Sequence, residues 1–193
     1  MDIEQFIERN IELIDNNEFA ELYNRCYRGD RGQLTDVLYE CGINPLRYMT
    51  AVPQWFAFES NLTNITIPNR VTNISRHMFE NCHNLTSVTI PDSVTSIGGY
   101  AFYCCTGLTK LTMGSGVTSI GELAFGHCRS LTNVVIPDSV TSIGEFAFGE
   151  CGTIQITYTG TKQQWEKLVK GKRIFVSTGY TCNCIDGVVE IPR

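Results

Sequence analysis

Between Leu62 and Thr153 the chain repeats itself every 23 residues, four times, without an insertion. Leu62, Leu85, Leu108 and Leu131 open the lines, and Ile74, Ile97, Ile120 and Ile143 stand mid-line. Phe79, Phe102, Phe125 and Phe148 follow, and Cys82, Cys105, Cys128 and Cys151 close them. A fixed period of this length is the signature of a coil that winds and stacks, each repeat burying its apolar face only against its neighbours.

One line shows how. In Leu85-Thr-Ser-Val88-Thr-Ile90 the alternation predicts a strand with Val88 and Ile90 inward and Leu85 packed at the entry. Pro91-Asp92-Ser93 ends it, because proline cannot donate to a ladder and Asp and Ser bond their own backbone in turns. Val94 to Ile97 reads as a second short extended run, and Gly98 as a corner. Ala101 and Phe102 then fit one helical turn, with the ring filling the coil centre. Stacking at the strand spacing of about 4.8 Å turns the columns into continuous ladders.

The lines resemble the BspA-like leucine-rich repeats, whose pattern is LxxIxIPxxVxxIGxxAFxxCxx. Departures are local: Met113-Gly114-Ser115-Gly116 replaces Ile-Pro-Asp-Ser in the third line, and Ser75-Arg76 stands where glycine is expected in the first. Altered turns are expected there. The segment Gly160-Thr161-Lys162-Gln163-Gln164-Trp165 and the later Cys184-Ile185-Asp186-Gly187 also resemble the ends of BspA-like chains. The resemblance implies a curved, ligand-displaying scaffold of the kind found in adhesive surface proteins and in intracellular or phage-encoded binding proteins, with no shared catalytic residue.

The expected fold is α+β: a leucine-rich-repeat β-solenoid of four to five coils with an N-terminal helical cap and a small C-terminal α/β cap. Residues 1–52 form the helical segment, with apolar faces at Ile3, Phe6, Ile7, Ile11 and Ile14, at Phe19, Leu22, Tyr23 and Cys26, and at Leu34, Val37, Leu38 and Cys41. It reads as a cap over the solenoid end, since three short helices bury little alone, or as a separate partner-binding module. Residues 53–157 hold the repeats: a half-coil at 53–61 with Trp55 and Phe58 at the seam, then coils 62–84, 85–107, 108–130 and 131–153. Ile154 falls on the next 23-residue step and is expected to begin a fifth strand. In the closing segment, 158–193, Thr161 caps a helix facing Trp165, Leu168 and Val169 inward, and Phe175-Val-Ser and Val188 to Ile191 read as strands.

Charge narrows the partners. Residues 1–60 carry eleven acids and five bases, the repeats six and four, and the last forty residues three and six. A domain-wide basic face is absent, which argues against nucleic acid. The N-terminus, with Asp2, Glu4, Glu8 and Glu12 and no apolar run, reads as neither signal peptide nor membrane helix, so the expected location is cytoplasmic, away from any membrane. Nine cysteines, an odd number, fit a reducing compartment.

Chemistry is sparse. The Cys82, Cys105, Cys128 and Cys151 column faces the core, where a thiol behaves as a small apolar side chain. One position earlier, Asn81, Cys104, His127 and Glu150 are expected to face outward one coil apart, an order from which a Cys-His-acid nucleophile or a metal site can be drawn. Steps of about 5 Å are too long for direct hydrogen bonds, and neither oxyanion hole nor fourth ligand is evident. Cys182-Asn-Cys184 lacks a second pair at zinc-ribbon spacing, and His77 and His83 sit near turns. No catalytic residue, cofactor or metal is assigned.

The outward side of the leading strands is the stronger surface: Asn64, Thr66, Ser87, Thr89, Lys110, Thr112, Asn133, Val135, Gln155 and Thr157. Small polar side chains on a rigid sheet suit a broad contact with a protein rather than an enclosed pocket, although threonine is also simply a good strand former. The expected function is a non-catalytic protein-interaction scaffold, an inhibitor or adaptor of a host protein, monomeric or an end-to-end homodimer. The alternatives are an extracellular adhesin module and a thiol enzyme at Cys104 and His127.

Overall fold

The computed structural model describes residues 62–67, 69, 71–175 and 180–191. The helical segment 1–52 and the half-coil 53–61 lie outside them.

Each coil opens on a short strand where apolar residues alternate: β1 (Asn64–Thr66), β3 (Ser87–Ile90), β5 (Lys110–Met113), β7 (Asn133–Ile136) and β9 (Gln155–Tyr158). A second side carries two-residue strands, β2 (Asn73–Ile74), β4 (Ser96–Ile97), β6 (Ser119–Ile120) and β8 (Ser142–Ile143). Pairing is parallel, and Val88 lies opposite Leu111 and Ile97 opposite Ile120, one repeat apart. The second sheet runs unbroken as β2-β4-β6-β8. The leading strands instead fall into two sheets, β1-β3-β5 and one that begins at β7. The expected single ladder is therefore interrupted after the third line, where Leu111 is 8% exposed while Val88 and Val134 are 0% and 1% exposed.

The third side is not the helical turn expected at Ala101 and Phe102. It is a chain of tight turns in which alternate N–H groups leave the coil. Ala101, Tyr103 and Cys105 donate three residues back, to Gly98, Tyr100 and Phe102, while Tyr100, Phe102 and Cys104 donate to Glu122, Ala124 and Gly126 of the next coil. A helix would keep all its donors inside one coil and leave the stack without lateral bonds here. This arrangement puts His77, Asn81, Tyr100, Cys104, Leu123, His127, Phe146 and Glu150 at positive φ, between 51° and 63°. Left-handed backbone costs a non-glycine residue about 1 kcal/mol, which the inter-coil hydrogen bonds offset.

The core runs along the axis. Phe79, Phe102, Phe125 and Phe148 are fully buried, with neighbouring ring centroids 5.0, 5.2 and 5.3 Å apart and planes within 13° of parallel. Each ring contributes about 1.5–3 kcal/mol by burial and each stacked pair about 0.5–1.5 kcal/mol more.

Beyond the fourth line the period slips. β9 pairs Asn133 with Gln155 and Val134 with Ile156, a step of 22, because the fifth line has one residue fewer between its entry and its strand. The slip is taken up before the strand, so Ile156 and Tyr158 still face inward; within the strand it would have turned every side chain over. Helix α1 (Lys162–Val169) follows, its N-terminus held by a capping box between Thr161 and Gln164, with Trp165, Leu168 and Val169 buried. Phe146 and Phe148 donate to the carbonyls of Arg173 and Ile174, and Phe175 stacks on Phe148 at 6.1 Å, continuing the third side. Phe175 is thus no strand residue. The last strand, β11 (Gly187–Ile191), pairs antiparallel with β10 (Tyr180–Cys184), which lies parallel beside β9. A two-residue turn at Ile185-Asp186 makes that hairpin, with Gly187 at φ +133° as its exit.

Candidate functional site

On the leading strands every second residue is committed to the core and the others are left to solvent. Asn64, Ser87 and Lys110 form one outward row and Thr66, Thr89 and Thr112 another. Asn133 with Gln155 and Val135 with Thr157 form the matching rows beyond the interruption. The second of these extends over the hairpin through Asn183 to Val188. Val135 and Val188, 51% and 54% exposed, stand at its two ends. All ten residues expected on this face lie on it; Ser87 and Thr89 are half-buried and the rest exposed.

The neighbouring threonines are structural. Thr86 and Thr109 donate their hydroxyls to the carbonyls of Thr63 and Thr86, and Thr95, Thr118 and Thr141 to those of Thr72, Thr95 and Thr118. Ser93 and Ser139 do the same toward Val71 and Val117. Asp92, a turn former in sequence, also accepts from the backbone and hydroxyl of Ser115 one coil on.

The thiol column faces inward as expected. Cys105, Cys128 and Cys151 donate their S–H to the carbonyls of Phe79, Phe102 and Phe125 at 3.1, 3.2 and 3.1 Å. Burial pushes the Cys151 thiol up to about 12, and Cys105 and Cys128 rise well above the usual thiol value for the same reason. The folded chain therefore holds these protons more tightly than the unfolded chain. Below the unfolded thiol value of about 8.5 both states are protonated and the contribution is complete; above it, each thiol removes about 1.4 kcal/mol of stability per pH unit until its folded value is passed. Urea midpoints measured from pH 7 to 10.5 are expected to hold steady and then fall, with a shallower fall in Cys128→Ala. A midpoint unchanged to pH 10.5 would contradict the buried, hydrogen-bonded state of the column.

The column one position earlier lies at the surface, one coil apart, as expected. Asn81, Cys104, His127 and Glu150 occupy the left-handed positions; Cys104 and His127 are half-buried and Asn81 and Glu150 exposed. The ring of His127 meets the edge of Tyr103 at 5.1 Å, and His83 Nδ1 lies 3.0 Å from the Cys104 carbonyl. Both contacts draw the imidazoles to groups other than the Cys104 thiol. Among the described residues no group of three or more Cys, His, Asp or Glu is arranged to hold a metal ion.

Sequence reasoning missed an aromatic ridge on this third side. His77 stacks on Tyr100 at 4.9 Å, the Arg76 guanidinium lies 4.9 Å from the same ring, and Tyr100 leads through Tyr103 to His127. Arg76 Nε donates to His77 Nε2 at 2.9 Å, which places the ring hydrogen on Nδ1, 2.8 Å from Glu80 Oε2. His77, Tyr100, Leu123 and Phe146 do recur at the period, a bulky column two residues before each core phenylalanine. A cleft of about 280 Å³ beside α1 is lined by Asp138, Thr141, Tyr158, Lys167 and Lys172, below the usual volume of a small-molecule site.

Residues 52–169 match, in six copies, the family described as BspA type leucine rich repeat region. Among solved structures, a leucine-rich-repeat protein of T. pallidum is 30% identical over 50% of this chain and 48% of its own length, with TM-score 0.49. A leucine-rich cell surface protein of Faecalibacterium prausnitzii is 32% identical over 58% of this chain and 36% of its own, with TM-score 0.47. A leucine-rich-repeat protein of Bacteroides capillosus is 32% identical over 50% of this chain and 77% of its own, with TM-score 0.47. The chain spans about half the length of the T. pallidum protein. No curated protein matches it.

Proposed function

Because the chain belongs to the BspA-type leucine-rich-repeat family, we propose that it is a non-catalytic interaction module that binds a protein partner across the outward rows of its leading strands. Repeats of this family generally serve as protein-interaction or adhesion modules. The observation that carries the reading is the division of labour along each strand: inward residues complete the core, most of the clamping between coils falls to threonines outside the rows, and the row residues stay at the surface, with Asn64 and Asn133 also bonded to Thr63 and Thr132. Rows spaced by the strand separation favour an extended partner surface with small complementary groups over a compact ligand. Helix α1 with the terminal hairpin closes the end of the solenoid that follows β9. The free thiols of the buried column, held by backbone carbonyls, suit a reducing cytoplasmic setting, and the role proposed there is that of an inhibitor or adaptor of a host protein. The lack of a basic face favours a protein over nucleic acid.

Lys110 and Thr112 lie at the middle of the face. Lys110→Glu/Thr112→Glu is expected to lower capture of a stoichiometric partner from native lysate at least tenfold, about 1.4 kcal/mol of binding, while Glu122→Lys on the third side leaves capture unchanged. Equal capture by both variants, or loss on the third side alone, would move the contact off the leading strands.

A further inference from the structure

Cys182 and Cys184 stand two apart on β10, so both thiols leave the strand on one face. Their sulfurs lie 4.0 Å apart and share a hydrogen bond. This separates them from the repeat column, where Cys105, Cys128 and Cys151 donate to backbone carbonyls. Cys182 is fully buried, in register with Ile156 on one side and Val189 on the other. Cys184 is half-buried at the end of the strand, next to the hairpin turn. Groups from two elements face it: Lys162 and Glu166 from α1, and Asp186 from its own hairpin. The Lys162 ammonium reaches over the turn, where a Cβ on Gly187 would lie 3.0 Å from Nζ, and Lys162 N donates to Asp186 Oδ1.

We infer that Cys182 and Cys184 are a dithiol modification site, closed reversibly to an intrastrand disulfide by a low-molecular-weight disulfide of the glutathione class. Strand neighbours two apart have Cα atoms about 6.6 Å apart, at the long end of the span of about 4.4–6.8 Å that disulfides bridge. The sulfurs must close to about 2.05 Å, and β9 and β11 resist the pinch on both flanks. A bond formed at that limit is strained, and strained disulfides are readily reduced, which makes the site reversible.

Accessibility orders the steps. The Cys184 sulfur, as thiolate beside the Lys162 ammonium, attacks one sulfur of the oxidised glutathione. That reagent's S–S bond breaks, and the first glutathione leaves and takes a proton from solvent. Cys182 then loses its proton and attacks the Cys184 sulfur of the mixed disulfide, expelling the second glutathione. The protein loses two hydrogens and is oxidised, and one glutathione disulfide becomes two thiols. Burial raises both thiols above their ordinary range, Cys182 the more, so closure accelerates as the solution becomes more alkaline.

The full-length protein is incubated with oxidised glutathione, alkylated and digested with trypsin, and the peptide beginning at Ile174 is weighed. The wild type is expected to give this peptide two hydrogens light and blocked to alkylation at both cysteines, with full alkylation restored by prior reduction. Cys182→Ser and Cys182→Ala should each stop at one glutathionyl group on Cys184, and Cys184→Ser should be modified in this peptide at least tenfold more slowly. A wild-type peptide that keeps a glutathionyl group, one that stays fully alkylatable, or a Cys184→Ser rate equal to wild type would each overturn the site. None of these outcomes depends on partner binding.

Discussion

Phe125→Ala is expected to cost about 3–5 kcal/mol, a large fraction of the roughly 5–15 kcal/mol that holds a domain folded. The ring is fully buried, stacked at 5.2 Å on Phe102 and at 5.3 Å on Phe148, and it fills the centre of the third coil. Its removal leaves a cavity that the coil cannot collapse into. Hydrogen bonds on the second and third sides hold the backbone at a fixed rise: Gly121 donates to Ile97, and Phe125 itself donates to Ala147. Phe125→Leu keeps most of the volume without its two stacked pairs and should cost about 1–3 kcal/mol. Urea unfolding of both variants separates cavity from stacking. If Phe125→Ala costs under about 1 kcal/mol, the axial stack is not what holds the coils together.

The second large effect comes from a residue with no side chain. A Cβ on Gly121 would lie 2.4 Å from the nitrogen of Gly99, 2.7 Å from the Gly98 carbonyl carbon and 2.8 Å from the Gly99 Cα. All three atoms are backbone of the preceding coil, so no rotamer change relieves the overlap. Gly144 repeats the approach one coil on, 2.3 Å from the nitrogen of Glu122. Gly121→Ala is expected to cost about 3 kcal/mol, the upper part of the usual range for overpacking. Gly171 is the control: its φ is +71° and a Cβ there meets nothing within 4 Å, so Gly171→Ala carries only the left-handed penalty of about 1 kcal/mol. Thermal melts should place the two variants in that order. The reverse order would mean that the corner glycines serve turn conformation, not close approach.

The architecture was legible because stacking forces sequence periodicity: a buried phenylalanine at 102 demands one at 79 and one at 125, and the sequence supplies them. The ten outward residues followed from simple alternation. Helix α1 followed from Thr161 and the spacing of Trp165, Leu168 and Val169. The third side was misread because Ala-Phe between glycines carries no mark of left-handed backbone; Tyr100 and Leu123 adopt it under inter-coil hydrogen bonds that no local propensity reports. The aromatic ridge was hidden for a related reason, since a column mixing His77, Tyr100, Leu123 and Phe146 reads as variable surface. β10 was missed because its place beside β9 is a long-range parallel pairing, and the partner strand of β11 was instead expected at Phe175-Val-Ser.

The interruption between β5 and β7 sets one wall of the coil apart from the other two. One wall is zipped from end to end by β2-β4-β6-β8, and the opposite wall is unzipped at a single level. At that level the other two sides stay bonded, Gly144 to Ile120 and Phe125 to Ala147, so the rows of Lys110 and Thr112 and of Asn133 and Val135 meet across a seam that the rest of the coil holds closed.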